Sequence, residues 1–346
     1  MTPKTANSIS PAGLRVVAIG GGTGLSTLLR GLKLRVPHAG LLAQPTRSPL
    51  IADLTAVVTV TDDGGSSGRL RRDFNMLPPG DLRNCMVALS EDEGLISRLF
   101  RHRFGSGELG GHNFGNLFIA ALTEMTGDFA QAIKLSAEIL ATRGHLFPAT
   151  ASNVTVAASM EDGSIVRGET NITASRQHIV ELMLDPPDPP PPPETLDAIA
   201  AADLITIGPG SLYTSIITNL LVKGIPEALA AAQGTRVFVC NLMTQANESL
   251  HLTASQHIER IYEHAGRPIF DYAIVNTAPV SDEIRARYAA EGAEITLADV
   301  DRVESLGVQC ITGNFAAEGD VLRHAADRVT DALLALPVRA AAVGAR

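Results

Sequence analysis

Short runs of aliphatic and β-branched residues alternate with longer stretches of helical period along most of this chain. Residues 15–19 and 54–60 read as buried strands, and 203–207, 235–240, 272–276 and 308–311 repeat the pattern later. Helical periodicity fills the gaps at 24–34, 81–89, 95–102, 113–125 and 128–140, then at 211–221, 225–232, 250–264, 281–291 and 325–336. Strands separated by helices predict right-handed βαβ units, hence an α/β fold with a mostly parallel, doubly wound sheet. Residues 153–175 break the rhythm. There Val154, Val156 and Ala158 alternate with polar neighbours, Asp162-Gly163 supplies a turn, and a second strand returns from Ile165, an antiparallel hairpin excursion.

One domain is expected over residues 14–340, after a disordered start at 1–13. Residues 35–50 carry three prolines and read as a surface insertion. Seven of the nine residues from Asp185 to Pro193 are proline, which predicts an exposed polyproline II loop at 185–194. The formal charge of −9 argues against nucleic acid as a partner. Cys85, Cys240 and Cys310 fit neither a disulfide framework nor a zinc motif and are expected as buried thiols in a reducing cytoplasm. No signal-like start and no apolar run long enough for a membrane span appears, so a cytoplasmic protein without membrane insertion is expected.

The chemistry is concentrated where strands end. Gly20-Gly21-Gly22-Thr23-Gly24 links a strand to a helix, as a phosphate-cradling loop does. It is no Walker motif, and it fits the dinucleotide fingerprint poorly, because Leu25 stands where a third small residue belongs. An NAD-linked oxidoreductase is therefore a minor reading. Glycine needed only for a tight turn is the ordinary alternative. Asp62-Asp63 ends the next strand, where adjacent carboxylates suit Mg²⁺ or sugar hydroxyls; turn and capping chemistry would also explain them. Ser66 and Arg69 follow in the same glycine- and serine-rich loop. Asp81 caps a helix whose first turn holds Arg83 and Asn84. Gly111-His112-Asn113-Phe114-Gly115-Asn116 places Asn113 and Asn116 on one helix face, where their amides suit a uracil edge or sugar hydroxyls. Gly208-Pro209-Gly210-Ser211, with Tyr213 beyond it, repeats the strand–loop–helix logic, and Asn241, Thr244 and Gln245 follow another strand. No nucleophile–base pair stands out, so no catalytic residue is assigned.

In combination these segments, with Leu322-Arg323-His324, resemble the YvcK-type gluconeogenesis factor family of the CofD-like (2-phospho-L-lactate transferase) superfamily. The resemblance spans nearly the whole chain, and it implies a Rossmann-like, CofD-like fold and a bacterial cytoplasmic protein that binds UDP-N-acetylglucosamine. It implies a regulator that supports cell shape and envelope growth on gluconeogenic carbon, with a homo-oligomer such as a dimer expected. The ligand contacts expected are Gly21, Gly22, Thr23, Gly24, Ser66, Arg69, Asp81, Asn84, His112, Asn113, Asn116, Gly210, Ser211, Tyr213, Asn241, Thr244 and Gln245. Tyr288 and Arg323 join them on the resemblance alone. The alternative it brings is a Mg²⁺-dependent transferase, with Asp62 and Asp63 on the metal, moving a phosphorus-containing group from a nucleotide diphosphate onto a deazaflavin-like acceptor. Ala246-Asn247-Glu248-Ser249 departs from the family's usual Pro-Gly-Glu-Thr, which puts the geometry of that loop in doubt.

Overall fold

The computed structural model describes residues 13–37, 51–91, 94–175 and 177–338. The start at 1–12 and most of the insertion at 35–50 lie outside the described residues. Seven strands form one wholly parallel sheet: β1 (Leu14–Gly20), β2 (Ile51–Val58), β3 (His145–Pro148), β7 (Leu204–Ile207), β8 (Thr235–Val239), β9 (Tyr272–Asn276) and β10 (Gln309–Gly313). Their order is β10-β9-β8-β7-β1-β2-β3. The chain thus runs outward from β1 in one direction and later returns to β1's other side. Between β1 and β7 lies the topological switch point, outside whose carboxyl edge open α/β sheets bind ligands.

Alternation along the strands divides the core between two faces. Val16, Ala18, Leu54 and Ala56 pack under the helices Gly22–Lys33 and Gly80–Leu89, with Leu25, Leu29 and Leu82 fully buried. Val17, Ile19, Val57 and Ile205 face the opposite layer, which includes the helices Pro193–Ala201 and Ala254–Ala265. At the amino edge, Asp203 accepts from Arg15 through its backbone N–H (2.9 Å), Nε (3.1 Å) and Nη2 (2.8 Å). Asp271 grips Arg236 in the same way, at 3.0, 3.0 and 2.9 Å, so two Arg–Asp clips tie β1 to β7 and β8 to β9.

The antiparallel excursion is larger than the hairpin expected. The strands β4 (Thr155–Met160), β5 (Ile165–Arg167) and β6 (Ile179–Asp185) make a separate sheet in the order β5-β4-β6, and a short helix, Glu169–Ala174, intervenes before β6. Val156, Ala158, Leu182 and Leu184 press this small sheet onto the second face. The proline run is only partly a free loop. Pro189 is buried, the Pro190 carbonyl accepts from Thr150 Oγ1 at 2.7 Å, and Pro193 starts a helix where its missing N–H costs nothing. Cys85 and Cys240 are buried, whereas Cys310 is only half-buried. Among the described residues no helix is long and apolar enough to cross a membrane.

Candidate functional site

At the carboxyl edge of β1 the chain leaves Gly20 and enters the helix Gly22–Lys33 with no side chain capping its first turn and no acid within it. Apart from the Gly22 N–H, which bonds the Asp81 carboxyl, the first-turn N–H groups and the positive end of this helix lie at the switch point. Each glycine has its own reason. Gly22 adopts φ +60, in the left-handed region. A Cβ on Gly24 would lie 2.4 Å from the Pro209 carbonyl oxygen, so the two glycine turns touch backbone to backbone. A Cβ on Gly21 would meet Thr59 Cγ2 at 2.5 Å and Asp81 Oδ2 at 2.8 Å.

These turns form the floor of a cavity of about 370 Å³. Gly21, Gly22, Thr23, Gly24, Gly210 and Ser211 line it, as do Asp81, Asn241, Gln245, Tyr288 and Arg323. Asn241 Oδ1 accepts the Gly210 N–H at 3.3 Å and so joins the end of β8 to the β7 turn. Over the rim hangs a two-residue ladder, β11 (Ala316–Ala317) with β12 (Arg323–His324). Tyr288 Oη accepts the Leu322 N–H at 3.1 Å, and His324 Nε2 donates to the Cys240 carbonyl at 3.0 Å. Burial holds His324 down to about 4, so it stands neutral, and these two bonds with the ladder hold Arg323 at the cavity that the glycines line.

The remaining wall is acidic. Protein atoms crowd Asp81 and, together with the Asp62 charge, push its carboxyl up to about 7 against the opposing effects of the Gly22 N–H and Arg83. Glu169 is pushed up to about 9 by burial, then by Asp81, Asp62, Glu248 and Asp63. It lines the cavity, and nothing in its local sequence announced it. Glu248 is also raised by burial, while Thr214 and Thr173 hydrogen bonds act the other way.

Several expected contacts lie elsewhere. Asp62, Ser66, Asn84 and Asn116 surround a second cavity that meets the first at Asp81. Asp62 and Asp63 turn apart: Asp62 Oδ1 accepts the Gly64 N–H at 2.9 Å, while Asp63 Oδ1 accepts Thr170 N–H and Oγ1 at 2.9 and 2.6 Å. The pair therefore does not present a shared metal seat, and no group of three or more His, Cys, Asp or Glu suited to a metal occurs among the described residues. Asn113 is spent as a helix N-cap, its Oδ1 accepting the Asn116 N–H at 3.2 Å. His112 is buried with Nδ1 3.2 Å from Ser66 Oγ, and Arg69 Nη2 donates to the Gly110 carbonyl at 3.0 Å. Thr244 is tied to the Glu294 backbone. Tyr213, 2% exposed, belongs to the core against His264.

A sequence profile described as 2-phospho-L-lactate transferase CofD matches residues 16–316. The chain belongs to the CofD family. Within that family its relatives are gluconeogenesis factors. One, from Halalkalibacterium halodurans, is 46% identical over 92% of this chain and 95% of its own length. Another, from Bacillus subtilis, is 43% identical over 93% of this chain and 98% of its own. A solved Bacillus halodurans structure, described as a member of the upf0052 family, shares this fold with a TM-score of 0.86. It is 46% identical and covers 93% of this chain and 99% of that one.

Proposed function

We propose that the switch-point cavity binds UDP-N-acetylglucosamine as a regulatory ligand without turning it over. Through it, the protein would support cell shape and envelope growth on gluconeogenic carbon as a cytoplasmic factor. One observation carries the reading: the glycine turn Gly21–Gly24, at a helix start without an N-cap side chain, shares a cavity of about 370 Å³ with Arg323 and Tyr288. A diphosphate suits the glycine floor and the guanidinium, since charge-assisted bonds are the strong ones. Sugar hydroxyls suit the acidic wall, where protonated Glu169 can donate and Asn241 and Gln245 can do either. Gln245 Oε1 is buried and has no hydrogen-bond partner among the described residues. The relatives' printed name, gluconeogenesis factor, supports the physiological part.

Calorimetry with UDP-N-acetylglucosamine tests it. Binding is expected, Arg323→Ala should weaken it about tenfold to a hundredfold, and the nucleotide sugar should be recovered unchanged. No binding at millimolar ligand would end the proposal. The profile's transferase description favours a second reading, group transfer from a nucleotide diphosphate to a deazaflavin-like alcohol. GDP binding that requires Mg²⁺, in place of uridine nucleotide binding, would select it.

A further inference from the structure

Beyond Asp81 a second chamber of about 260 Å³ opens, and its chemistry differs from that of the first. Arg83 reaches it from the helix Gly80–Leu89 and is only 8% exposed. Its Nη1 donates to the Phe100 carbonyl at 3.3 Å and its Nη2 to Asn84 Oδ1 at 2.8 Å, while Nε has no partner. Arg103 stands exposed at the same chamber, bonded only to the Gly111 carbonyl at 2.8 Å. Among the described residues neither arginine forms an ion pair with a carboxylate. Asp81 and Asp62 at the same chamber supply opposite charge, but no carboxylate bonds either guanidinium, and a buried guanidinium held without a bonded partner is costly. Burial, then Arg103, lowers the Arg83 value to about 10 against the pull of Asp81 and Asp62.

Two further features point the same way. Asn116 is 2% exposed and lines the chamber with Oδ1 unpaired, while its Nδ2 lies 3.4 Å from Ser67 Oγ. Because a hydroxyl both donates and accepts, the amide can equally turn its NH₂ group inward. The helix Gly65–Phe74 begins here with no side-chain cap and no acid in its first turn, and Gly65, Ser66 and Ser67 all border the space. Asp62, whose Oδ1 accepts the Gly64 N–H beside this helix start, and Asp81 also line the chamber and can accept from hydroxyls.

We propose that this chamber is a second ligand site, separate from the nucleotide cavity, for a small hydroxylated molecule bearing a phosphate or carboxylate. The anion sits between Arg83, Arg103, Asn116 and the helix start, and the hydroxyls sit at Asp62 and Asp81. The volume suits a metabolite of a few carbons better than a second nucleotide. Asp81 borders both spaces, so the two ligands would lie on either side of one carboxyl.

The test is calorimetry at fixed ionic strength with glycerol 3-phosphate, glycerate and glycerol, each with and without saturating UDP-N-acetylglucosamine. At least one of the two anions should bind with a dissociation constant of about 1 mM or tighter, glycerol should not, and the nucleotide sugar should not displace the anion. Which anion binds tells phosphate from carboxylate. Arg103→Ala, at an exposed side chain, should weaken anion binding about tenfold and leave UDP-N-acetylglucosamine affinity unchanged. Asn116→Asp, nearly isosteric, should weaken anion binding at least as much. Failure of both anions to bind, indifference to Arg103→Ala, or competition by the nucleotide sugar would each overturn the proposal. The anion titrations without nucleotide stand whether or not the first cavity takes a UDP-sugar.

Discussion

The two sides of the main cavity are built on opposite principles. Its floor, Gly20–Gly24 against Gly208–Ser211, is backbone held by backbone contact, with Gly24 so close to Pro209 that no side chain fits. Its wall, Asp81 and Glu169 with Glu248 near them, is a group of carboxyls whose proton affinity is raised by burial and, for Asp81 and Glu169, by neighbouring carboxylates. The floor gets its shape from sterics and should be insensitive to pH. The wall gets its character from electrostatics and should not be.

The largest effect expected from breaking this contrast is on the floor. Gly24→Val places a branched side chain against the Pro209 carbonyl, where a Cβ alone would lie at 2.4 Å. Overpacking of this kind costs about 3 kcal/mol, and separation of the turns should abolish nucleotide-sugar binding. Denaturant unfolding and calorimetry that both matched wild type would show that the close approach is not required.

On the wall the sign of the pH dependence follows from Glu169. Its folded value of about 9 stands above its ordinary 4.5, so the folded state holds this proton more tightly than the unfolded state. That contribution is complete below pH 4.5 and is lost as the pH rises toward 9; Asp81 adds a similar loss between 3.8 and about 7. Glu169→Gln keeps the shape and removes the titration. Its thermal midpoint should therefore fall less between about pH 6 and pH 9 than that of wild type. Parallel curves for the two proteins would contradict the assignment.

The smallest effect belongs to the rim that joins floor and wall. Tyr288→Phe retains the ring and loses the acceptor for the Leu322 N–H. Affinity for UDP-N-acetylglucosamine should drop by about 1 kcal/mol, roughly fivefold, through looser placement of Arg323. A loss as large as that of Arg323→Ala would mean that the hydroxyl contacts ligand directly.

What could be read in the sequence divides along the same line. Gly20–Gly24 and Gly208–Ser211 were legible because a positive φ or a close backbone approach leaves glycine as the fitting residue, whatever the distant partner. The antiparallel region announced itself through Val154, Val156 and Ala158, although the third strand, Ile179–Asp185, had no turn signal to tie it to the others. His145–Pro148 is too short to show a period. Gly65–Phe74 looked like a loop because glycine and serine are poor helix formers, yet they are tolerated at a helix start. Glu169 could not be found locally: it follows a surface strand, and only the packing of the small sheet brings it toward Asp81. The divergence of Asp62 and Asp63 was readable in principle, since neighbours on extended backbone point opposite ways.

The clips Arg15–Asp203 and Arg236–Asp271 fasten the sheet along the border remote from the glycine turns. With strand spacing fixed at that margin, arrival of a guest at the far margin cannot be accommodated by sliding β1 past β7. Adjustment is left to the segment that carries Arg323, a two-residue ladder held also by hydrogen bonds of Tyr288, His324 and Arg287. The sheet is thus hemmed like a fan, riveted at the handle and freer at the outer edge.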